Sequence, residues 1–209
     1  MNIVNNRDDR NNFDSIAPYY NRLQKLVFGQ QLLVAQIHFF QKISSQSKVL
    51  VVGGGSGEFL PHLLARNPKQ ITYVESSLAM MNIAKNNFSD VCIDWQHKNV
   101  LDWKSEIEYD FILLPFVLDV FLQNKVDEIV KHISTSLTVN SKVILTDFYY
   151  TGKFYHKMLI SIMILFFSLF SGIKARRLPN YEKSFARLNL VKTDSVNYLD
   201  GMVKSVVFS

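Results

Sequence analysis

Lys48-Val49-Leu50-Val51-Val52-Gly53-Gly54-Gly55-Ser56-Gly57-Glu58 is the stretch on which the fold turns. An apolar run stops at a glycine-rich turn, and a helix is expected next over Glu58–Arg66. Glycine tolerates positive φ and carries no Cβ, so such a turn can bring backbone amides close to a ligand. The helix start adds N–H groups without partners in the helix. A dinucleotide fingerprint of the form G-x-G-x-x-G fails in either frame, because it requires glycine where Glu58 or Leu60 stands. Glu58 would also repel a pyrophosphate at the helix start. A phosphate P-loop fails because no Gly-Lys-Ser/Thr follows. What fits is G-x-G-x-G through Gly53, Gly55 and Gly57.

Outward from this turn, short apolar runs alternate with helical stretches. Strands are expected at Lys48–Val52, Gln70–Glu75, Val91–His97, Tyr109–Leu114 and Lys142–Phe148. Helices are expected at Glu58–Arg66, Ser77–Asn87, Phe116–Leu122 and Lys125–Leu137. Runs such as Phe111-Ile112-Leu113-Leu114 are apolar on both faces, as in a parallel sheet covered by helices on each side. Two more strands are expected near Leu190–Tyr198 and Met202–Phe208, with a hairpin turn signal at Asp200-Gly201. Glu75 ends the second strand, 22 residues after Gly53. A carboxylate there can accept hydrogen bonds from both hydroxyls of a ribose.

Before the sheet, Asp14–Ser44 carries apolar residues at helical spacing, with Gly29 as a divider. Residues 1–45 are expected to form an arm and cap helices, and 46–209 an α/β domain with an apolar helical insertion at about 152–178. The composition suits a globular protein: 48% of residues are apolar, with 16 Phe and 9 Tyr. Cys92 is the single cysteine, so no internal disulfide can form, which fits a reducing cytoplasm. Met1–Asn12 is polar and shows no export signal.

Val49–Gly57 and Val74-Glu75-Ser76-Ser77-Leu78-Ala79-Met80-Met81 together resemble two motifs of the class I S-adenosylmethionine-dependent methyltransferases. The resemblance covers roughly residues 13–150 and, more weakly, the last two strands. It implies a Rossmann-like, doubly wound, seven-stranded sheet, mostly parallel with an antiparallel last strand. It also implies S-adenosylmethionine as cofactor. The glycine turn would hold the methionine part, Glu75 and Ser76 the ribose side, and Met80 the adenine. Asn99 and Val100 follow the third strand, where Asn99 could accept from the adenine amino group. Pro115, at the end of the fourth strand, and Tyr19 complete the expected cofactor set. Val51 departs from the pattern, because many members carry an acidic residue there. Phe13–Tyr20 is similar to the start of quinone-biosynthesis methyltransferases.

Methyl transfer from a sulfonium needs alignment and exclusion of water more than a catalytic constellation. The five histidines show no metal-ligand spacing, and no metal is expected. A hydroxyl or phenol acceptor would need a base. Asp119, in Leu114-Pro115-Phe116-Val117-Leu118-Asp119, is the first candidate. Tyr20, Tyr19 and His156 are weaker ones. An aromatic face such as Tyr19 or Tyr20 could instead cover the sulfonium.

A nucleic-acid acceptor is disfavoured, since no Asp/Asn-Pro-Pro-aromatic pattern follows the fourth strand and no basic stretch carries interleaved aromatics. Met158–Ile173 is strongly apolar and is followed by Lys174, Arg176 and Arg177. It is too short for a confident spanning helix. It could form a buried cap, a lid over a small lipophilic acceptor, or a helix at an anionic membrane surface. The expected setting is cytoplasmic, with peripheral contact through 158–177 to the inner face of the membrane. A scaffold that retained the fold and an NAD-dependent oxidoreductase are the competing functions.

Overall fold

The computed structural model describes residues 27–88, 93–161 and 177–209. Seven strands form one sheet: β1 (Lys48–Val52), β2 (Gln70–Glu75), β3 (Asp94–His97), β4 (Tyr109–Pro115), β5 (Leu137–Phe148), β6 (Lys192–Tyr198) and β7 (Val203–Phe208). Their order is β3-β2-β1-β4-β5-β7-β6. The first five pair in parallel, and β7 runs antiparallel to both β5 and β6. This is the doubly wound, mostly parallel sheet expected from the sequence.

Alternate residues of β1 serve two cores. Leu50 and Val52 join Ile112, Leu114, Val126 and Ile129 on one face. Val49 and Val51 join Phe59, Leu63, Ile71 and Tyr73 on the other. All four of these β1 residues, Val49 to Val52, are buried. A strand covered on both faces must be apolar throughout, and this is why the run reads as continuous rather than alternating. The chain builds β2 and β3 on one side of β1 and then β4 on the other. The glycine turn therefore lies where the strand order reverses, the usual crevice for a ligand in open α/β sheets.

The described helices are α1 (Gln31–Ile37), α2 (Leu60–Leu64), α3 (Leu78–Asn87), α4 (Gln123–Ser134) and α5 (Tyr181–Ala186). Residues 154–161 are also helical. Gly29, at φ +59°, separates α1 from the residues before it, as expected. In α3 the Ser77 hydroxyl accepts the Met80 N–H and caps the helix. A third core joins Phe28, Leu32 and Ala35 to Phe148, Ile160, Met202 and Val203. It ties α1 and the 154–161 helix to the β5–β7 end of the sheet.

Two expectations are corrected. The helix expected over Phe116–Leu122 is a turn. Phe116 N–H still follows the sheet, donating to the Thr146 carbonyl at 2.7 Å, and Phe116 then adopts φ +52°. Leu118 N–H goes to the Asp147 carboxylate at 3.1 Å rather than to a helical carbonyl. A side chain distant in sequence thus takes the donor that a helix would have used. The helix after the glycine turn is also shorter than expected, regular only over Leu60–Leu64. The β6–β7 hairpin forms as expected, but through a wider bend in which Leu199, Asp200 and Gly201 all have positive φ.

The Phe13–Tyr20 motif, Tyr19, Tyr20, Cys92 and most of the apolar 158–173 segment lie outside the described residues. No helix among the described residues is long and apolar enough to cross a membrane.

Candidate active site

The glycine turn is held from beneath by groups that the G-x-G-x-G pattern does not name. Tyr73, wholly buried in β2, donates its phenol to the Gly55 carbonyl at 3.0 Å. A Cβ on Gly54 would sit 2.2 Å from that phenolic oxygen. A Cβ on Gly53 would meet Val117 at 2.3 Å, and one on Gly57 would meet Leu60 at 2.6 Å. Gly55 differs. Its φ is +60°, and a Cβ there would have no neighbour within 4 Å. Three of the four glycines therefore make room for the protein itself, and Gly55 presents bare backbone to open space.

Glu75 is the second half of the site. It ends β2 and is buried. Its Oε2 accepts the Gly55 N–H at 2.9 Å, and its Oε1 accepts the Ser77 N–H at 2.8 Å. Burial pushes this carboxyl above its ordinary range, while the Ser77 and Gly55 amides and the nearby His97 pull it back. Each carboxylate oxygen has a second lone pair, so a ligand hydroxyl can share either one with the backbone donor.

Around this pair, Ser76 is exposed, and its carbonyl meets His97 Nε2 at 3.1 Å. Met80 and Val100 are buried. Asn99 Oδ1 accepts the Leu101 N–H at 3.0 Å, and its backbone carbonyl accepts from Asp102 and Trp103. Asn99 thus closes its own turn, with the side-chain oxygen already engaged once. Pro115 pairs in register with Thr146 at the end of β4. These residues gather at the carboxyl ends of β1, β2, β3 and β4. An adenosyl amino acid fits this cradle: open backbone at Gly55, an acidic side chain beside it, and a buried methionine at the following helix.

Asp119, the first candidate for a base, lies on the turn after β4 rather than on the helix expected over Phe116–Leu122. It is buried, and its Oδ1 has no hydrogen-bond partner among the described residues. Burial raises its carboxyl from the ordinary 3.8 to about 7. That value is near the optimum for a proton-transfer group at neutral pH. His156 is buried too, with Nδ1 at 2.5 Å from the Thr151 hydroxyl.

Three residues important to this geometry were not among the sequence candidates: Tyr73, Val117 and Asp147. Two signals were available. Gly54 has no role in G-x-G-x-G, and a glycine without a role often marks a close approach. Asp147 is a charge inside an otherwise buried strand, which requires partners.

Comparison with known proteins agrees with this geometry. A family model described as a methyltransferase domain matches residues 49–140. No curated protein matches the chain by sequence. Among solved structures, the chain is similar to the mitomycin 7-O-methyltransferase MmcR, at 14% identity and TM-score 0.69, covering 94% of this chain and 60% of that one. It is similar to a chain from the complex between the Haloferax volcanii Trm112 methyltransferase activator and its partner, at 11% identity and TM-score 0.74, covering 95% and 97%. It is also similar to the N-methyltransferase NodS from Bradyrhizobium japonicum WM9, solved with S-adenosyl-L-homocysteine, at 13% identity and TM-score 0.62, covering 91% and 87%. At such identities the likeness is one of fold. This chain spans 60% of the length of MmcR.

Proposed function

We propose, from the premise that this chain carries a methyltransferase domain of the class I, S-adenosylmethionine-dependent family, that it methylates a small acceptor with a lipophilic part. The observation that carries the cofactor half is the pairing of Glu75 with the open Gly55 backbone. When bound, S-adenosylmethionine supplies a methyl group on a positively charged sulfur, already activated toward displacement. Gly55 leaves room for close backbone approach, with Gly53 and Gly57 shaping the turn. Glu75 accepts from the ribose hydroxyls, with Ser76 beside it. Met80, Val100 and Asn99 line the adenine side, and Pro115 closes the methionine side, while the aromatic face of Tyr19 suits a cationic sulfonium.

Asp119 serves as the base when the acceptor is a hydroxyl or phenol. Its burial favours the neutral acid, and its unpartnered Oδ1 can take a proton. Tyr20 is a weaker candidate for the same task.

Apolar character near the β5 end of the sheet supports a lipophilic acceptor. Phe154 is 82% exposed, and Tyr150, Tyr155 and Met158 are each about half exposed. They lead into the apolar run of 158–173, which Lys174, Arg176 and Arg177 follow. This is the composition of a surface that meets apolar chains beside anionic headgroups, in line with peripheral contact at the inner face of a membrane.

Calorimetry with S-adenosylmethionine, S-adenosylhomocysteine and NAD tests the cofactor. Binding of the first two and not of NAD is expected; tight NAD binding alone would overturn the proposal. Transfer of label from methyl-labelled cofactor into a lipid and metabolite extract tests the acceptor. Label is expected in a small extractable product, and label confined to macromolecules would refute the acceptor class.

A further inference from the structure

Tyr73 and Glu75 stand two residues apart on β2, so both side chains leave the same face of the strand. β2 pairs in register with β1, Tyr73 beside Val51 and Val74 beside Val52, and the Gly53 N–H continues the pairing by donating to the Val74 carbonyl at 2.8 Å. The end of β2 is therefore carried along the glycine turn, where its two side chains take opposite ends of one residue. Glu75 Oε2 accepts the Gly55 N–H at 2.9 Å, and the Tyr73 hydroxyl donates to the Gly55 carbonyl at 3.0 Å. These bonds hold the peptide groups on either side of the Gly55 Cα. The relative rotation of those two planes is what φ and ψ describe. Gly55 sits at φ +60°.

The ring and the hydroxyl of Tyr73 have separate roles. The ring is wholly buried, stacked on Phe59 at 6.5 Å and tilted against Trp95 at 4.9 Å between centroids. A phenylalanine ring would pack in the same way. The hydroxyl needs its own explanation, because burying it is unfavourable unless it is bonded. It also excludes any side chain at position 54, where a Cβ would lie 2.2 Å from its oxygen. Its bond goes to Gly55, the glycine of the turn whose Cβ position is open.

Glycine has more backbone freedom to lose than any other residue. A free turn would have to be ordered as the ligand binds. A turn ordered beforehand removes that cost from the binding step.

We propose that Tyr73 is a positioning residue for the cofactor: with Glu75 it locks the left-handed conformation of Gly55, so that the backbone facing the ligand is set before the ligand arrives. Being wholly buried beneath the turn, Tyr73 acts through Gly55. This inference rests on the proposed function for its ligand, S-adenosylmethionine.

Tyr73→Phe keeps the ring and deletes only the hydroxyl. In the full chain it should bind S-adenosylhomocysteine about fivefold more weakly by calorimetry, the size expected for one buried neutral hydrogen bond. Ile133→Val is the control. Ile133 is buried on α4 in the other core, away from the turn. The methylene lost there lowers stability by an amount comparable to one hydrogen bond, and S-adenosylhomocysteine affinity should match the parent.

Hydrogen exchange at the Gly55 amide, followed by NMR without ligand, reads the lock itself. Its rate relative to the β1 amides should rise several-fold in Tyr73→Phe, although its own acceptor, Glu75, is unchanged. The ratio should keep its parent value in Ile133→Val. Parent-like affinity in Tyr73→Phe, or an equal loss of affinity in Ile133→Val, would overturn the proposal. So would an unchanged Gly55 exchange ratio in Tyr73→Phe. Failure of the parent chain to bind S-adenosylhomocysteine would instead overturn the proposed function, and the exchange ratio would still decide whether Tyr73 locks Gly55.

Discussion

Glu75 Oε2 accepts the Gly55 amide at 2.9 Å, joining the end of β2 to the one glycine of the turn whose Cβ position is open. The carboxylate therefore acts twice, setting the shape of the turn and waiting beside the space that turn leaves. Its other oxygen holds Ser77, the N-cap of α3. A single side chain thus connects strand, turn and helix around the cradle.

Glu75→Gln should retain the fold and weaken S-adenosylhomocysteine binding. An amide side chain keeps one acceptor oxygen and offers N–H groups to the other backbone donor. Hydrogen bonds to charged groups contribute about 1.5–3 kcal/mol, so binding should fall by about tenfold or more. Calorimetry measures the loss, and circular dichroism should show unchanged secondary structure. Unchanged affinity would remove Glu75 from the site.

Gly54→Ala and Gly55→Ala should fail in different ways. The Gly54 methyl would overlap the Tyr73 phenol, so overpacking should cost about 1–3 kcal/mol of stability. Gly55→Ala meets no atom and costs only the left-handed backbone strain, about 1–2 kcal/mol. Its methyl would instead enter the ligand space, and cofactor binding should weaken beyond any change in stability. Urea unfolding and calorimetry on both variants separate the two effects. Similar binding by Gly55→Ala and the parent would place the ligand elsewhere.

Stability should fall as pH rises from about 4 to about 7. The Asp119 carboxyl is raised from 3.8 to about 7 in the fold, so the native state holds a proton that the unfolded chain has already lost in that window. This contribution is fully present below the unfolded value and is lost as pH passes the folded one. Asp147, raised in the same direction, adds to the trend. Asp119→Asn should flatten the slope of unfolding free energy against pH, measured by urea titration. A slope equal to that of the parent would mean that Asp119 ionises normally.

Vesicles containing anionic lipid should retain the chain, and added salt should release part of it. Flotation with anionic and neutral vesicles checks this. Screening weakens attraction between exposed charges and headgroups, whereas apolar contact persists. Replacing Phe154 and Met158 with serine should lower retention at any salt. No retention on either lipid would assign the 154–173 region to a cap instead.

Much of the sheet was legible in the sequence because doubly covered strands must be apolar. β1, β2 and the start of β4 were located within a residue from that demand alone. The glycine turn was legible for a related reason, since few other residues tolerate its dihedrals. The 116–122 segment was not. Its composition suits a helix, but Asp147 and Thr146, nearly thirty residues later, capture the two backbone donors that decide its path.

The amino-acid order by itself determined the strand–glycine–helix unit and the acidic residue at the next strand's tip, because these depend on local dihedrals and burial periodicity; the class of cofactor followed from the resemblance of these motifs to a known family. Only the tertiary structure decided which glycine faces open space, where the turn after β4 goes and which carboxyl groups are buried together. Those properties arise from contacts between strands that the chain separates widely, and no local pattern encodes them.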